Sequence, residues 1–245
     1  MVVLMYMLND LKLSKSPLID AIVEIRFNNT APSQVLAGLL YSKLQPIGYT
    51  EFEEMPLMQL PPALRDSDEN LKYAAHYKIK SENFWVFVGA TIVSVVAICK
   101  DNRYPGWIDY KAEIDKVFKQ LFSLEMITAL TRLNVRYINL FKDQNIYDRI
   151  ELSLDSPFDD TITDDITHNF TISDNNASIQ VVFSSTASIT DSNNEVIKGS
   201  LLDMNWFFAD NYTIEELDSL ITRGHDKVED IFKSVLEDNF MESLK

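Results

Sequence analysis

Residues 132–141 read RLNVRYINLF. Leu133, Val135 and Tyr137 alternate with Arg132, Asn134 and Arg136, the period of two of a half-buried β-strand. The stretch echoes an earlier one, Val23–Asn29 (VEIRFNN), at an offset of 110 residues. Around that earlier stretch Ala21, Val23, Ile25 and Phe27 alternate with Asp20, Glu24 and Arg26, so one face is again apolar.

Two further landmarks repeat at a similar spacing. The segment Ile114–Lys119 lies over Val228–Lys233 at an offset of 114, and Thr91–Cys99 lies over Leu201–Ala209 at 110. Agreement among separate landmarks points to an internal duplication. Each half then reads strand, helix, three strands, helix. Residues 1–16 form an N-terminal lead or edge strand, 17–126 the first half and 127–245 the second. The expected fold class is α+β: an antiparallel sheet with helices on one face. Its two tandem β-α-β-β-β-α halves would make a curved sheet like that of the TATA-binding protein or the helix-grip folds. Such an analogy concerns architecture and says nothing of function.

Within this plan the first half has a helix over 32–44 with Val35, Leu36, Leu39, Leu40 and Leu44 on one stripe. A weaker strand over 51–60 follows, then strands over 72–79, 83–88 and 91–99. The clearest helix spans 107–122, with Trp107, Tyr110, Ile114, Val117, Phe118 and Leu121 on its inner face. In the second half a short helix is expected within 143–152, an irregular acidic connection over 155–165, and strands over 166–172, 178–184 and 201–208. A turn falls at 191–194. Thr213-Ile-Glu-Glu216 is a capping box for the last helix, which Gly224 is expected to break or kink.

Composition is that of a globular chain, with 46% hydrophobic and 24% charged residues. The single cysteine, Cys99, excludes an intrachain disulfide and fits a reducing, cytoplasmic compartment. The longest apolar run, 84–99, is broken by Gly89 and Ser94 and rich in β-branched residues, which favours buried strands over a membrane helix. The formal net charge is −15 and unevenly placed. Residues 1–147 carry sixteen acids and sixteen bases, whereas 148–245 carry 21 acids and six bases. An acidic half repels phosphate backbones and attracts basic partners.

Several stretches together resemble a sporadically distributed family of uncharacterised prokaryotic proteins. They are Ser16–Phe27 (SPLIDAIVEIRF), Tyr104–Trp107 (YPGW), Arg132–Asn139 (RLNVRYIN), Leu201–Asn205 (LLDMN) and His225–Phe232 (HDKVEDIF). The family pattern has a glycine where Asn134 stands. The resemblance implies no particular activity and brings no catalytic residues or cofactor. Its patchy distribution is similar to that of mobile, defence or conflict genes.

Few residues suggest chemistry. His76, His168 and His225 lack a second histidine or cysteine at metal-ligand spacing, so no metal or cofactor is expected. Cys99 ends an apolar strand and reads as a packing residue. Asp155, Asp159, Asp160, Asp164 and Asp165 are dense but lack the alternation and glycine of a calcium loop. They read as a solvated loop, with Asp159, Asp160, Asp164 and Asp165 as contacts for a basic protein partner. On the polar faces of the strands stand Glu24, Arg26, Arg132, Asn134, Arg136, Asp203 and Asn205. Cross-strand ion pairing is the first expectation for them. The alternative is a concave site in which Arg26, Glu24, Arg136 and Asp203 bind a small polar or anionic ligand. The leading functional expectation is a non-enzymatic interaction protein of the immunity, antitoxin or regulatory-partner kind. A homodimer through the exposed sheet face is a third. Neither direct nucleic-acid binding nor a membrane association is expected.

Overall fold

The computed structural model describes residues 13, 16–61, 64–65, 68, 71–99, 104–150, 165–190 and 195–244. The chain forms one open, curved, antiparallel sheet of nine strands with helices on one face. Its strands are β1 (Leu18–Asn29), β2 (Glu51–Glu54), β3 (Ala75–Lys80), β4 (Phe84–Gly89), β5 (Ile92–Ile98), β6 (Ile127–Lys142), β7 (Thr167–Asp174), β8 (Ala177–Thr190) and β9 (Val196–Phe208). The helices are α1 (Ser33–Leu44), α2 (Trp107–Phe122), α3 (Ile214–Val235) and α4 (Asp238–Leu244).

Strand order is β2-β3-β4-β5-β1-β6-β9-β8-β7. Outward from the central β1/β6 pair the two sides run alike: β5, β4, β3 on one and β9, β8, β7 on the other. Glu24 faces Asn134 across that pair, and these are also the residues that the 110-residue offset makes equivalent. The offset does not carry through to the neighbouring strands. Ser94 faces Glu24 on β5 and Phe207 faces Asn134 on β9, so their positions differ by 113 residues. An odd correction of three exchanges the two faces of the strand. The 110-residue alignment of 91–99 with 201–209 thus matches inward residues to outward ones. The halves also differ in their helices: among the described residues, only a 3₁₀ turn at Ile146–Arg149 follows β6, where α1 follows β1.

Alternation decides which face is buried. Ile79, Val86, Val95, Val23, Val135, Trp206 and Ile179 form one row across seven strands, and none is more than 2% exposed. Tyr110 fastens α2 to this face, its hydroxyl sharing its one proton between the carbonyls of Ala21 (2.9 Å) and Val95 (2.7 Å). In α3, Thr213 and Glu216 cap each other's backbone N–H groups as expected. The helix nevertheless runs unbroken through Gly224. A Cβ there would lie 2.7 Å from both Trp206 and Val135 side chains, so the glycine lets α3 lie close on β6 and β9.

Other departures have local causes. Val35 and Leu39 of α1 are exposed, while Ser33 and Ala37 are buried with Leu36, Leu40 and Leu44, because α1 is wedged against α2 as well as β3 and β4. Of 51–60 only Glu51–Glu54 is strand, and Pro56–Gln59 turns as 3₁₀ helix. Strands β8 and β9 run past the core, to Thr190 and from Val196, since two hairpin arms satisfy each other's backbone whatever their side chains. The expected lead over 1–16 lies outside the described residues except for Leu13 and Ser16, as does the turn at 191–194.

Candidate functional site: a cavity between the two long helices

The four residues expected to bind a polar or anionic ligand stand on the open face and are engaged with one another or their neighbours. Arg26 Nε donates to Glu24 Oε1 at 3.0 Å, and its guanidinium lies 4.1 Å from the Tyr73 ring centroid. Glu24 Oε1 also accepts from Asn134 Nδ2 at 2.8 Å, and Oε2 from Ser94 Oγ at 3.2 Å. Asn134 Oδ1 in turn accepts from Arg132, whose guanidinium covers the Phe207 ring at 4.3 Å. Arg136 and Asp203 form a two-pronged pair, with Nε–Oδ1 at 2.8 Å and the second nitrogen on Oδ2. Cross-strand ion pairing, the first expectation, is met by Arg136–Asp203; Arg26–Glu24 and Arg132–Asn134 are contacts along one strand, and Glu24 reaches across to the uncharged Asn134 and Ser94. Of the acidic run, Asp155, Asp159, Asp160 and Asp164 lie outside the described residues, and Asp165 accepts from the Thr186 hydroxyl at 2.6 Å.

The other reactive side chains are quiet. Cys99 is buried, and its thiol is pushed up to about 12 by burial, with the Asp20 carboxylate adding to the effect. His76 is buried with Nδ1 2.8 Å from Ser33 Oγ. Among the described residues no group of three or more His, Cys, Asp or Glu side chains could hold a metal ion, and no helix is long and apolar enough to cross a membrane.

On the helix face, however, a cavity of about 480 Å³ lies beside the start of α2 and one flank of α3, over β1, β6 and β9. That is within the size range of small-molecule sites. Its floor is Leu18, Tyr137, Asn139 and Met204, and its sides are the Tyr104–Asp109 entry into α2 and one flank of α3 from His225 to Phe232. Gly106, at φ 90°, makes the turn that starts α2 here.

His225 is the centre of the wall. Its ring stacks on Trp107, 3.8 Å between centroids and 10° apart in plane. Nδ1 lies 2.9 Å from the Tyr137 hydroxyl, and Nε2 lies 3.8 Å from Glu229 Oε2. The Tyr104 hydroxyl is 3.5 Å from that of Tyr137. Burial, aided by the Lys233 charge, lowers the imidazole to about 4, so His225 is neutral at pH 7. The Glu229 carboxylate, itself paired with Lys233, does not offset that burial. A neutral ring carries one proton. With the carboxylate on the Nε2 side, the proton belongs on Nε2, Nδ1 accepts, and Tyr137 donates to it. The Tyr137 oxygen then accepts from the Tyr104 hydroxyl at 3.5 Å and keeps one lone pair for the cavity. Tyr137 itself is held well above the ordinary tyrosine range by burial, so it stays a hydroxyl.

Asn139 supplies a second acceptor. It is 3% exposed, its Nδ2 donates to the Leu202 carbonyl at 3.3 Å, and no described residue donates to its Oδ1.

None of Tyr104, Trp107, Tyr137, Asn139 or Glu229 stands out in the sequence as a site residue, because each sits on an apolar stripe or next to one. The five segments quoted from the sequence above all supply lining residues. Ser16 and Leu18 come from the first, Tyr104 to Trp107 from the second, Tyr137 and Asn139 from the third, Met204 from the fourth, and His225 to Phe232 from the fifth. Comparison with known families and with curated proteins finds no match for the chain, so the cavity is read from its own residues.

Proposed function

We propose that this chain is a small-molecule-binding protein whose site is the cavity between α2 and α3. The reading is carried by one observation. A space of ligand size is walled by aromatic rings, and a buried Tyr137–His225 hydrogen bond and the Asn139 carbonyl open into it. A few fixed polar groups in a mostly apolar hollow are the ordinary make-up of such sites. Treating the chain as a tandem duplication supports the same place, since the cavity lies at the junction of the halves, with α2 from one and α3 from the other. A ligand-observed NMR fragment screen tests the reading. Hits that compete for one site are expected, and Val228→Phe, which pushes a ring into the cavity wall, weakens or removes them. A screen in which no hit is weakened or lost in that variant, folded by circular dichroism, refutes it.

The charge layout favours a second reading, that of an interaction protein of the immunity, antitoxin or regulatory kind. Residues 148–245 hold the whole net charge, and Glu215, Glu216, Asp218 and Asp230 of α3 and Asp238 and Glu242 of α4 are exposed. This surface would engage a basic protein. Capture of a basic partner from native lysate at low salt and its release at high salt is the expected result; capture that salt does not change argues against it.

A further inference from the structure

We infer that the cavity selects an amine-bearing organic cation over an anionic or neutral ligand of the same shape; this rests on the small-molecule reading above. Among the described residues the charged side chains that line it, apart from the neutral His225, are the carboxylates of Asp109 and Glu229; no described lysine or arginine is among them. The Asn139 Oδ1 and the Tyr137 oxygen add two uncharged acceptors. Trp107, Tyr104 and Tyr137 add aromatic rings, which attract cations through their electron-rich faces.

The positive end of the α2 dipole also points here and would welcome an anion. Asp109 sits in that first turn and opposes it, and a bound anion would meet two carboxylates, the nearby Lys233 ammonium being paired with Glu229. Glu229 is shared: Oε1 takes Lys233 Nζ at 2.8 Å, whereas Oε2 is on the His225 side. His225 offers no competing positive charge, being neutral as argued above. An ammonium group can therefore sit among Glu229, Asn139 and Tyr137, with its apolar part toward Met204, Val228 and Phe232.

Isothermal titration calorimetry with two matched series tests this: tryptamine, tryptophol and indole-3-acetate, and octylamine, octanol and octanoate. The amine of at least one series is expected to bind at least tenfold more tightly than its alcohol and its acid. Glu229→Gln should lower amine affinity about tenfold more than alcohol affinity. Lys233→Gln, which frees Glu229 from its partner, should tighten amine binding. Acids or alcohols that bind as well as amines overturn the inference and leave the cavity reading standing. Binding by none of the six compounds overturns the cavity reading, and the inference with it. An amine preference that survives Glu229→Gln also overturns the inference, since the charge would then lie elsewhere.

Discussion

His225 makes the folding of this protein sensitive to mild acid, and the size of the effect follows from its surroundings. Unfolded, the imidazole titrates near 6.5; in the folded chain burial lowers it to about 4. The groups facing it are Tyr137 from β6, Trp107 and Asp109 from the start of α2, and Glu229 and Lys233 from its own helix. Above pH 6.5 the ring is neutral in both states and contributes no pH dependence. As pH falls from 6.5 toward 4 the unfolded chain takes up a proton that the folded chain refuses. Stability is lost over that window, and the loss levels off below it. The full effect is about 3.4 kcal/mol at 1.36 kcal/mol per unit, and about 2 kcal/mol of it is reached by pH 5. Other groups titrate in the same window. Asp20, raised to about 6 by burial and only partly relieved by Arg136, works in the opposite direction: its folded form takes the proton first, so it adds stability as pH falls from 6 to 3.8. The informative quantity is therefore a difference between proteins. Comparing urea unfolding of wild type and His225→Asn at pH 7.5 and pH 5.0, both above the pI of about 4.5, cancels every shared titration. Asn keeps an acceptor for Tyr137 at the Nδ1 position. Relative to the variant, wild type should lose about 2 kcal/mol on acidification. A difference that changes by less than about 0.5 kcal/mol would show that His225 is not held neutral by burial, and the tautomer argument built on it would fall.

The remaining predictions concern the packing that makes the cavity and the pairing that occupies the open face. Gly224→Ala drives a methyl group into Trp206 and Val135 at 2.7 Å; it should lower stability by about 1–3 kcal/mol in urea unfolding despite the better helix propensity of alanine. Arg136→Ala leaves the Asp203 carboxylate, 9% exposed, without its two-pronged partner. It should cost about 2 kcal/mol, while the apolar pair Arg136→Met with Asp203→Leu recovers most of that. Ligand binding in the cavity should survive the double change, because the two residues lie on the other side of the sheet.

Alternation and helical periodicity are properties of neighbours along the chain, and wherever they were strong the sequence settled the outcome. Helix α2 spans 107–122 as its stripe dictates, the capping box at Thr213 starts α3, and residues 132–141 lie inside β6. The polar-face assignment of Glu24, Arg26, Arg136 and Asp203 followed from the same parity. Features that depend on distant contacts were not legible. Gly224 read as a helix breaker because propensity is local, yet the close fit to Trp206 and Val135 outweighs it. Val35 and Leu39 looked like core because α1 has more apolar positions than α2 and the sheet leave room to bury.

The cavity marks the division most sharply. Trp107, Tyr137 and His225 come from 118 residues of chain, and each alone is an aromatic group on a buried face. Alternation of apolar and polar residues along the chain set an antiparallel α+β sheet with one apolar face, because burying that face is the dominant favourable term in folding. Only the tertiary structure brought the start of α2 and one flank of α3 together over β6 and β9, since that depends on where Gly106 and Gly224 allow backbones to turn and approach. The space left beside Trp107 and His225 makes three core-like rings and a carboxylate the proposed site.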